Sequence, residues 1–276
     1  MRIEFVKMHG LGNDFIVFDA PAELADAPIE PQRIRALADR HTGIGFDQAL
    51  MLEAPRDARS RVFYRIFNAD GGEVEQCGNG ARCVAALLHA RAPLRGGDIA
   101  MESKAGLVHA RVGEQVSVDM GAPSFDPRAI PFDVPAEAPT YSLEAGGETV
   151  ELGAVSMGNP HAVLEVRDVR NAPVARLGPA IERHARFPRR ANVGFMQILD
   201  RGHIALRVFE RGAGETLACG TGACAAVAVG RRRGLLEADV RVDLPGGTAR
   251  VSWAGPGEPV WLTGPAVTAF SGVVDF

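Results

Sequence analysis

Two short stretches of this 276-residue chain carry a thiol in the same setting: Gln76-Cys77-Gly78-Asn79-Gly80-Ala81 and Ala218-Cys219-Gly220-Thr221-Gly222-Ala223. In each, a strand-like segment leads through a Gly-containing turn to a cysteine placed just before an apolar segment that reads as a helix. The first turn of a helix exposes unpaired backbone N–H groups and partial positive charge, which lower a thiol pKa and attract a carboxylate. The glycines let a ligand approach the backbone. One such motif reads as a reactive thiol or an anion site. A pair on opposite faces of one carbon supplies what inversion of a carbon acid needs: a thiolate to remove the proton and a thiol to return one from the other side. A thiolate is a weak base for that proton, so the site must also stabilise charge developing on the adjoining carboxylate, which two helix N-termini aimed at it would do.

Other readings of the cysteines account for less. A single free cysteine is most often a small buried residue, but a matched pair in CGxGA settings is not explained that way. Cys83 and Cys224 fall inside the helical segments and are expected in the core. The spacings C-x5-C and C-x4-C do not have the usual zinc pattern, so no metal is expected. A thiol hydrolase would need a histidine and an orienting carboxylate serving one cysteine, and leaves the second unexplained. Of the 30 lysines and arginines only Lys7 and Lys104 are lysines, which leaves two candidates for a pyridoxal-phosphate Schiff base. A Cys77–Cys219 disulfide is conceivable as an oxidised, inactive by-product.

The pair arises from an internal repeat. Arg65 to Ala81 aligns without a gap on Arg207 to Ala223, and eight of the seventeen positions are identical: Arg, Phe, Gly, Glu, Cys, Gly, Gly and Ala. Gly12-Asn13 with Gly158-Asn159, and Gly45-Phe46-x-Gln48 with Gly194-Phe195-x-Gln197, precede that match in the same order. Three motifs in one order, twice, indicate a tandem duplication, and the unit is too long for a solenoid repeat. Pro123, Pro127, Pro131, Pro135 and Pro139 recur at every fourth residue between the copies and exclude a helix there. The expected domains are residues 1–120 with about 266–276, and residues 121–265, paired so that both helix N-termini reach one cleft. A Gly/Pro-rich stretch, Gly255 to Pro265, precedes Val267 to Phe270, read as a strand crossing back to the first domain.

Within each copy alternation predicts strands at Arg61 to Phe67 and His203 to Phe209, and at Gln115 to Met120 and Val240 to Leu244. Ala81 to Ala90 and Ala223 to Val229 predict helices buried on every side. The fold class is α+β: two pseudo-symmetric domains from a tandem duplication, each a mixed β-sheet wrapped around a central buried helix. Length suits two domains.

Net charge of −4 and pI near 6.0 leave no electrostatic footprint for nucleic acid. Arg231-Arg232-Arg233 reads as a set of cations at a helix C-terminus. The apolar runs fall short of a membrane span. Met1 to Lys7 have an acidic residue and no cleavage site, so a cytoplasmic chain is expected. Beyond the thiols, Glu210 stands at the repeat position of Asn68, a change of polarity suggesting an asymmetric substrate. His161 follows Asn159-Pro160 in the second copy only, and Arg211 could pair a carboxylate bidentately.

With these residues in view, the chain resembles diaminopimelate epimerase. The likeness runs through MHGLGNDF (Met8 to Phe15), HTGIGFDQ (His41 to Gln48), FNADG (Phe67 to Gly71), QCGNGARC (Gln76 to Cys83), MGNPH (Met157 to His161), Asn192-x-Gly194-Phe195, ERGAGET (Glu210 to Thr216) and ACGTGAC (Ala218 to Cys224). The resemblance implies interconversion of LL- and meso-diaminopimelate, in lysine and peptidoglycan precursor synthesis, without a cofactor. Cys77 and Cys219 would be the acid/base pair, with Gly78-Asn79 and Gly220-Thr221 receiving the reacting carboxylate. Substrate contacts would come from Asn13, Gln48, Asn68, Asn159, Asn192, Glu210 and Arg211, and His161 and Glu210 would tune the thiols. It also implies cleft closure and a homodimer, with Phe270 where relatives carry a tyrosine at the dimer contact; Thr221 replaces a frequent serine. The alternative is a proline racemase or hydroxyproline epimerase, similar in fold and cysteines. Its substrate lacks the distal carboxylate that Asn68, Asn159, Asn192 and Arg211 suit. Isomerases of the same fold without the cysteine pair, and a non-catalytic binding module, leave the two thiols unexplained.

Overall fold

The computed structural model describes residues 2–21, 24, 27–93 and 96–276. The chain divides into two compact units, Met1–Val118 with Gly264–Phe276, and Asp119–Thr263.

The first unit opens with a hairpin, β1 (Arg2–Gly10) and β2 (Asn13–Asp19), closed by Leu11 and Gly12 at φ 58° and 83°. Two successive positive φ angles match the right-handed twist of the strands, and they set Asn13 at the mouth of β2. After α1 (Pro31–Ala38), with Pro31 at the tolerated N-terminal position, β3 (Gln48–Glu53) runs parallel to β2 and β4 (Phe63–Asn68) antiparallel to β3. Short β5 (Glu73–Val74) folds back on β4 and leads into α2 (Gly78–Arg91). Then β6 (Asp98–Ser103) lies parallel to β4, followed by antiparallel β7 (Gly106–Val112) and β8 (Val116–Asp119).

The second unit repeats this order. β9 (Tyr141–Ala145), β10 (Glu148–Ser156) and β11 (Pro160–Glu165) form a meander; α3 (Val174–Glu182) precedes β12 (Asn192–Asp200), which is parallel to β11. β13 (His203–Glu210), β14 (Gly214–Thr216), α4 (Gly220–Arg232), β15 (Asp239–Leu244), β16 (Gly247–Trp253) and β17 (Val260–Gly264) follow, with β15 parallel to β13. The last strand, β18 (Val267–Asp275), pairs antiparallel with β1 of the first unit.

In each unit the sheet curves around one helix. α2 packs on β1, β2, β3 and β7, and α4 on β10, β11, β12, β13 and β16, strands from both halves of each sheet. Both helices begin three residues earlier than their apolar runs suggest, at Gly78 and Gly220, so the glycine-rich motifs are the first helical turns rather than loops before them. The physical reason is the cysteine: Cys77 and Cys219 have extended backbones and stand at the N-caps. Burial on all sides holds from Gly222 through Gly230 in α4, but α2 emerges at Ala90 and Arg91. Alternation also missed β17, since a Gly/Pro-rich flank concealed a strand whose alternate residues Val260, Leu262 and Gly264 are buried. The proline-spaced segment carries no helix.

The repeat's charged identities have a structural use. Arg65 on β4 pairs with Glu73 on β5 at 2.7 Å, and Arg207 on β13 with Glu215 on β14 at 2.6 Å. Each ion pair clamps the turn that delivers a cysteine to its helix. The basic run at the end of α4 is likewise absorbed. Arg231 bonds the Trp253 carbonyl, Arg232 pairs with Glu137 at 2.8 Å, and Arg233 with Glu165 at 3.0 Å. Among the described residues, no helix is long and apolar enough to cross a membrane, and no group of three or more His, Cys, Asp or Glu could hold a metal ion.

Candidate active site

The two motifs are described unit by unit. At the head of α2 the half-buried Cys77 Sγ accepts from the Gly80 N–H at 3.4 Å and lies 3.9 Å from Asn13 Oδ1. Asn79, buried in the first turn beside Gly78, donates from Nδ2 to the same Asn13 oxygen at 3.2 Å. The hairpin turn of β1 and β2 and the helix start therefore converge on one sulfur. Gln48 and Asn68 face each other across β3 and β4, and Gln48 Nε2 donates to Asn68 Oδ1 at 2.8 Å. Gln48 Oε1 is buried without a hydrogen-bond partner. Both lysines are engaged in ion pairs, Lys7 with Asp14 at 2.6 Å and Lys104 with Glu73 at 2.7 Å.

At the head of α4, Cys219 is 4% exposed, and its sulfur lies 3.6 Å from Thr221 Oγ1. Thr221 accepts from Asn159 Nδ2 at 3.4 Å, and Asn159 Oδ1 lies 2.9 Å from His161 Nε2. His161 thus reaches the thiol through two intermediaries. Burial, reinforced by the charge of Arg211, holds its imidazole down to about 3, so it is neutral and Nε2–H donates to Asn159. Burial pushes the Cys219 thiol well above its ordinary range, and the Glu210 carboxylate raises it further. The lowering expected of a helix N-terminus is outweighed here, because excluding water penalises a thiolate more than the helix dipole compensates. Cys83 shows the same effect deeper in α2, pushed up to about 12 by burial. All four cysteines are free.

Asn192 spans its surroundings, donating from Nδ2 to the Pro160 carbonyl at 3.1 Å and accepting the Arg211 backbone N–H at 2.9 Å. The Arg211 side chain is exposed and donates to the Arg189 carbonyl at 3.2 Å. Glu210 accepts from Thr216 Oγ1 at 2.5 Å. Phe270 lies on β18, 51% exposed and edge-on to Phe5 at 6.0 Å.

Several neighbours of the motifs escaped sequence reasoning. Arg82 and Asp47 bond the side chains around Cys77, and buried Glu182 accepts the Gly212 N–H at 2.9 Å, holding the turn after Glu210. Arg82 and Asp47 lie inside the quoted motifs QCGNGARC and HTGIGFDQ, which was the available signal. Glu182 had none, because its burial depends on packing around α3.

Two α+β units, each with a cysteine heading its central helix, form the fold of an amino-acid epimerase, a class of isomerase. The solved hydroxyproline epimerase of Agrobacterium vitis shares it with a TM-score of 0.70, covering 99% of this chain and 92% of that one, at 17% identity. The sequence model of diaminopimelate epimerase matches residues 5–125 and 153–269. The diaminopimelate epimerase of Thioalkalivibrio sulfidiphilus is 57% identical over 279 residues, covering 100% of both chains, and that of Nitrosomonas europaea 55% over 277, again 100% of both. The chain belongs to the diaminopimelate epimerase family.

Proposed function

We propose that this chain interconverts LL- and meso-diaminopimelate by a two-base thiol mechanism, in lysine and peptidoglycan precursor synthesis. The observation that carries the substrate is 57% identity over the full length to a protein named for it. Likeness at 17% to a hydroxyproline epimerase extends to fold and no further. The N-cap placement of Cys77 and Cys219 favours the chemistry.

In this reading residues 1–120 with about 266–276, and residues 121–265, are the two domains, which close on the substrate so that one α-carbon lies between the sulfurs. A thiolate at one cysteine takes the α-proton, and the C–H electron pair moves into the carboxylate as an ene-diolate. The S–H of the other cysteine delivers a proton to the opposite face as the electron pair returns. The configuration is inverted, and the two sulfurs have exchanged protonation states, ready for the reverse direction. N–H groups of Gly78-Asn79 and Gly220-Thr221 receive the carboxylate in the first turns of α2 and α4, where the helix dipoles favour the developing charge. Burial and Glu210 keep Cys219 protonated at rest, which suits it to donate when Cys77 is the base. His161 adjusts the same thiol through Asn159 and Thr221. Asn13, Gln48, Asn68, Asn159, Asn192, Glu210 and Arg211 hold the substrate, with no cofactor taking part. The working enzyme is a cytoplasmic homodimer with Phe270 at its contact.

LL-diaminopimelate in D2O, with enzyme and a thiol reductant, should acquire α-deuterium while epimerising. Absence of exchange under reducing conditions would sink the mechanism. Cys77→Ala and Cys219→Ala should each lower kcat by about 1,000-fold or more, the scale of a lost general acid or base. Proline, tested in parallel, should not turn over.

A further inference from the structure

We propose that Arg82 and Asp47 are positioning residues that fix, from opposite ends, the orientation of two side-chain amides and so present a carbonyl oxygen to the Cys77 sulfur. The inference rests on the reading above only in taking Cys77 as a reacting thiol.

Arg82 is 0% exposed, one turn into α2. Its guanidinium is tightly confined: a Cβ on Gly10 would meet Nη2 at 3.2 Å, and one on Gly264 would meet Cζ at 3.3 Å. From this seat Nη2 donates to Asn79 Oδ1 at 2.8 Å. A guanidinium only donates, so Asn79 must turn its oxygen to it, leaving Nδ2 to donate to Asn13 Oδ1 at 3.2 Å. At the far end stands the Asp47 carboxylate, which only accepts. Its Oδ2 takes Asn13 Nδ2 at 2.9 Å and the Asp14 backbone N–H at 3.1 Å, while Oδ1 takes Arg40 at 2.8 Å. Asn13 must therefore turn its nitrogen to Asp47 and its oxygen the other way.

Both ends impose the same polarity, Arg82 to Asn79 to Asn13 to Asp47, and the chain is satisfied in one sense only. Its product is Asn13 Oδ1 facing Cys77 Sγ at 3.9 Å. An oxygen there accepts from the S–H; the amide nitrogen in its place would donate to a thiolate and favour its formation. Tyr64 on β4 and Cys83 on α2 are ionisable groups that also lie within electrostatic reach of Cys77.

The test reads Cys77 alkylation by iodoacetamide at one neutral pH, without substrate, in a Cys219→Ser background; Cys83 and Cys224 are 0% exposed and do not report. Asp47→Asn leaves an amide that donates or accepts, so polarity is held from the Arg82 end alone and Asn13 gains a second orientation, nitrogen to the sulfur, at the cost of its bond from Asn79. The rate should rise, by about fivefold at most, the scale of one hydrogen bond. Loss of the carboxylate charge acts in the same direction, so the substitution is repeated in an Asn13→Leu background. There the change should shrink to less than about twofold, the non-additivity of a shared path. The companion pair is Arg82→Met with and without Asn79→Leu, where the Arg82 effect should likewise collapse. An Asp47→Asn effect that persists undiminished without the Asn13 amide overturns the proposal, as does an unaltered rate in Asp47→Asn itself. An Arg82 effect that persists without Asn79 removes Arg82 from it. Should Arg82→Met not fold, the Asp47 pair decides alone, since that side chain is 44% exposed and Asn keeps its size. No diaminopimelate enters the measurement, so its failure and failure of deuterium exchange are separate results.

Discussion

His161 shows how strongly burial governs a single titratable group in this chain. It sits fully enclosed with Nε2–H committed to Asn159, and its folded-state pKa is held to about 3 against 6.5 when unfolded. The group is depressed on folding, so between those values the unfolded chain binds a proton that the folded chain refuses. Its contribution to stability is complete above pH 6.5 and is lost as pH falls toward 3. Asp14, lowered to about 2 by Arg40 and Lys7 against the opposing effect of burial, loses its contribution only below its ordinary value of 3.8. The urea midpoint should therefore drop between pH 7 and 4.5, and His161→Gln should flatten that drop. Equal slopes for the two proteins would show that His161 accepts its proton while folded. Sequence singled out His161 and Glu210, and both lie in the network around Cys219. It did not show that burial, rather than the helix terminus, dominates at Cys219, because enclosure is a property of packing.

At the level of elements, the glycine-rich motifs are helix starts packed against strands. A Cβ on Gly222 would come 2.9 Å from Val208 Cγ2 and 3.2 Å from the Cys219 sulfur. The corresponding contacts of Gly80 are milder, 3.2 Å to Leu50 and 3.5 Å to Cys77 Cβ. Gly222→Ala should cost about 1–3 kcal/mol by overpacking and move the thiol, lowering kcat, whereas Gly80→Ala should cost less. Thermal melts of the two variants check the order. The period-2 and apolar signals located β4, β13, α2 and α4 because each buries a regular face. They were silent on the positive-φ turn at Leu11 and Gly12, where a leucine adopts a conformation that sequence reserves for glycine or asparagine. That turn sets Asn13 beside Cys77.

For the molecule as a whole, β18 is the element to test. It has a hydrogen-bonded partner in β1 and carries exposed Val267, Phe270 and Val273. Exposed apolar residues clustered on one strand invite contact with another chain. If Phe270 lies at a homodimer contact, Phe270→Glu should shift the enzyme toward monomer in analytical ultracentrifugation at micromolar concentration, leaving the melting of each chain little changed. A dimer untouched by that substitution moves the contact elsewhere. The duplication, the α+β class, the two thiols at helix heads and the family were legible in the amino-acid order, because identity at fixed offsets and hydrophobic period are properties of the linear chain. Which donors and acceptors meet those thiols was legible only after folding. Arg82, Asp47, Thr216 and Glu182 act through neighbours brought together from separate elements, and hydrogen-bond direction and desolvation exist only once the chain has closed around them.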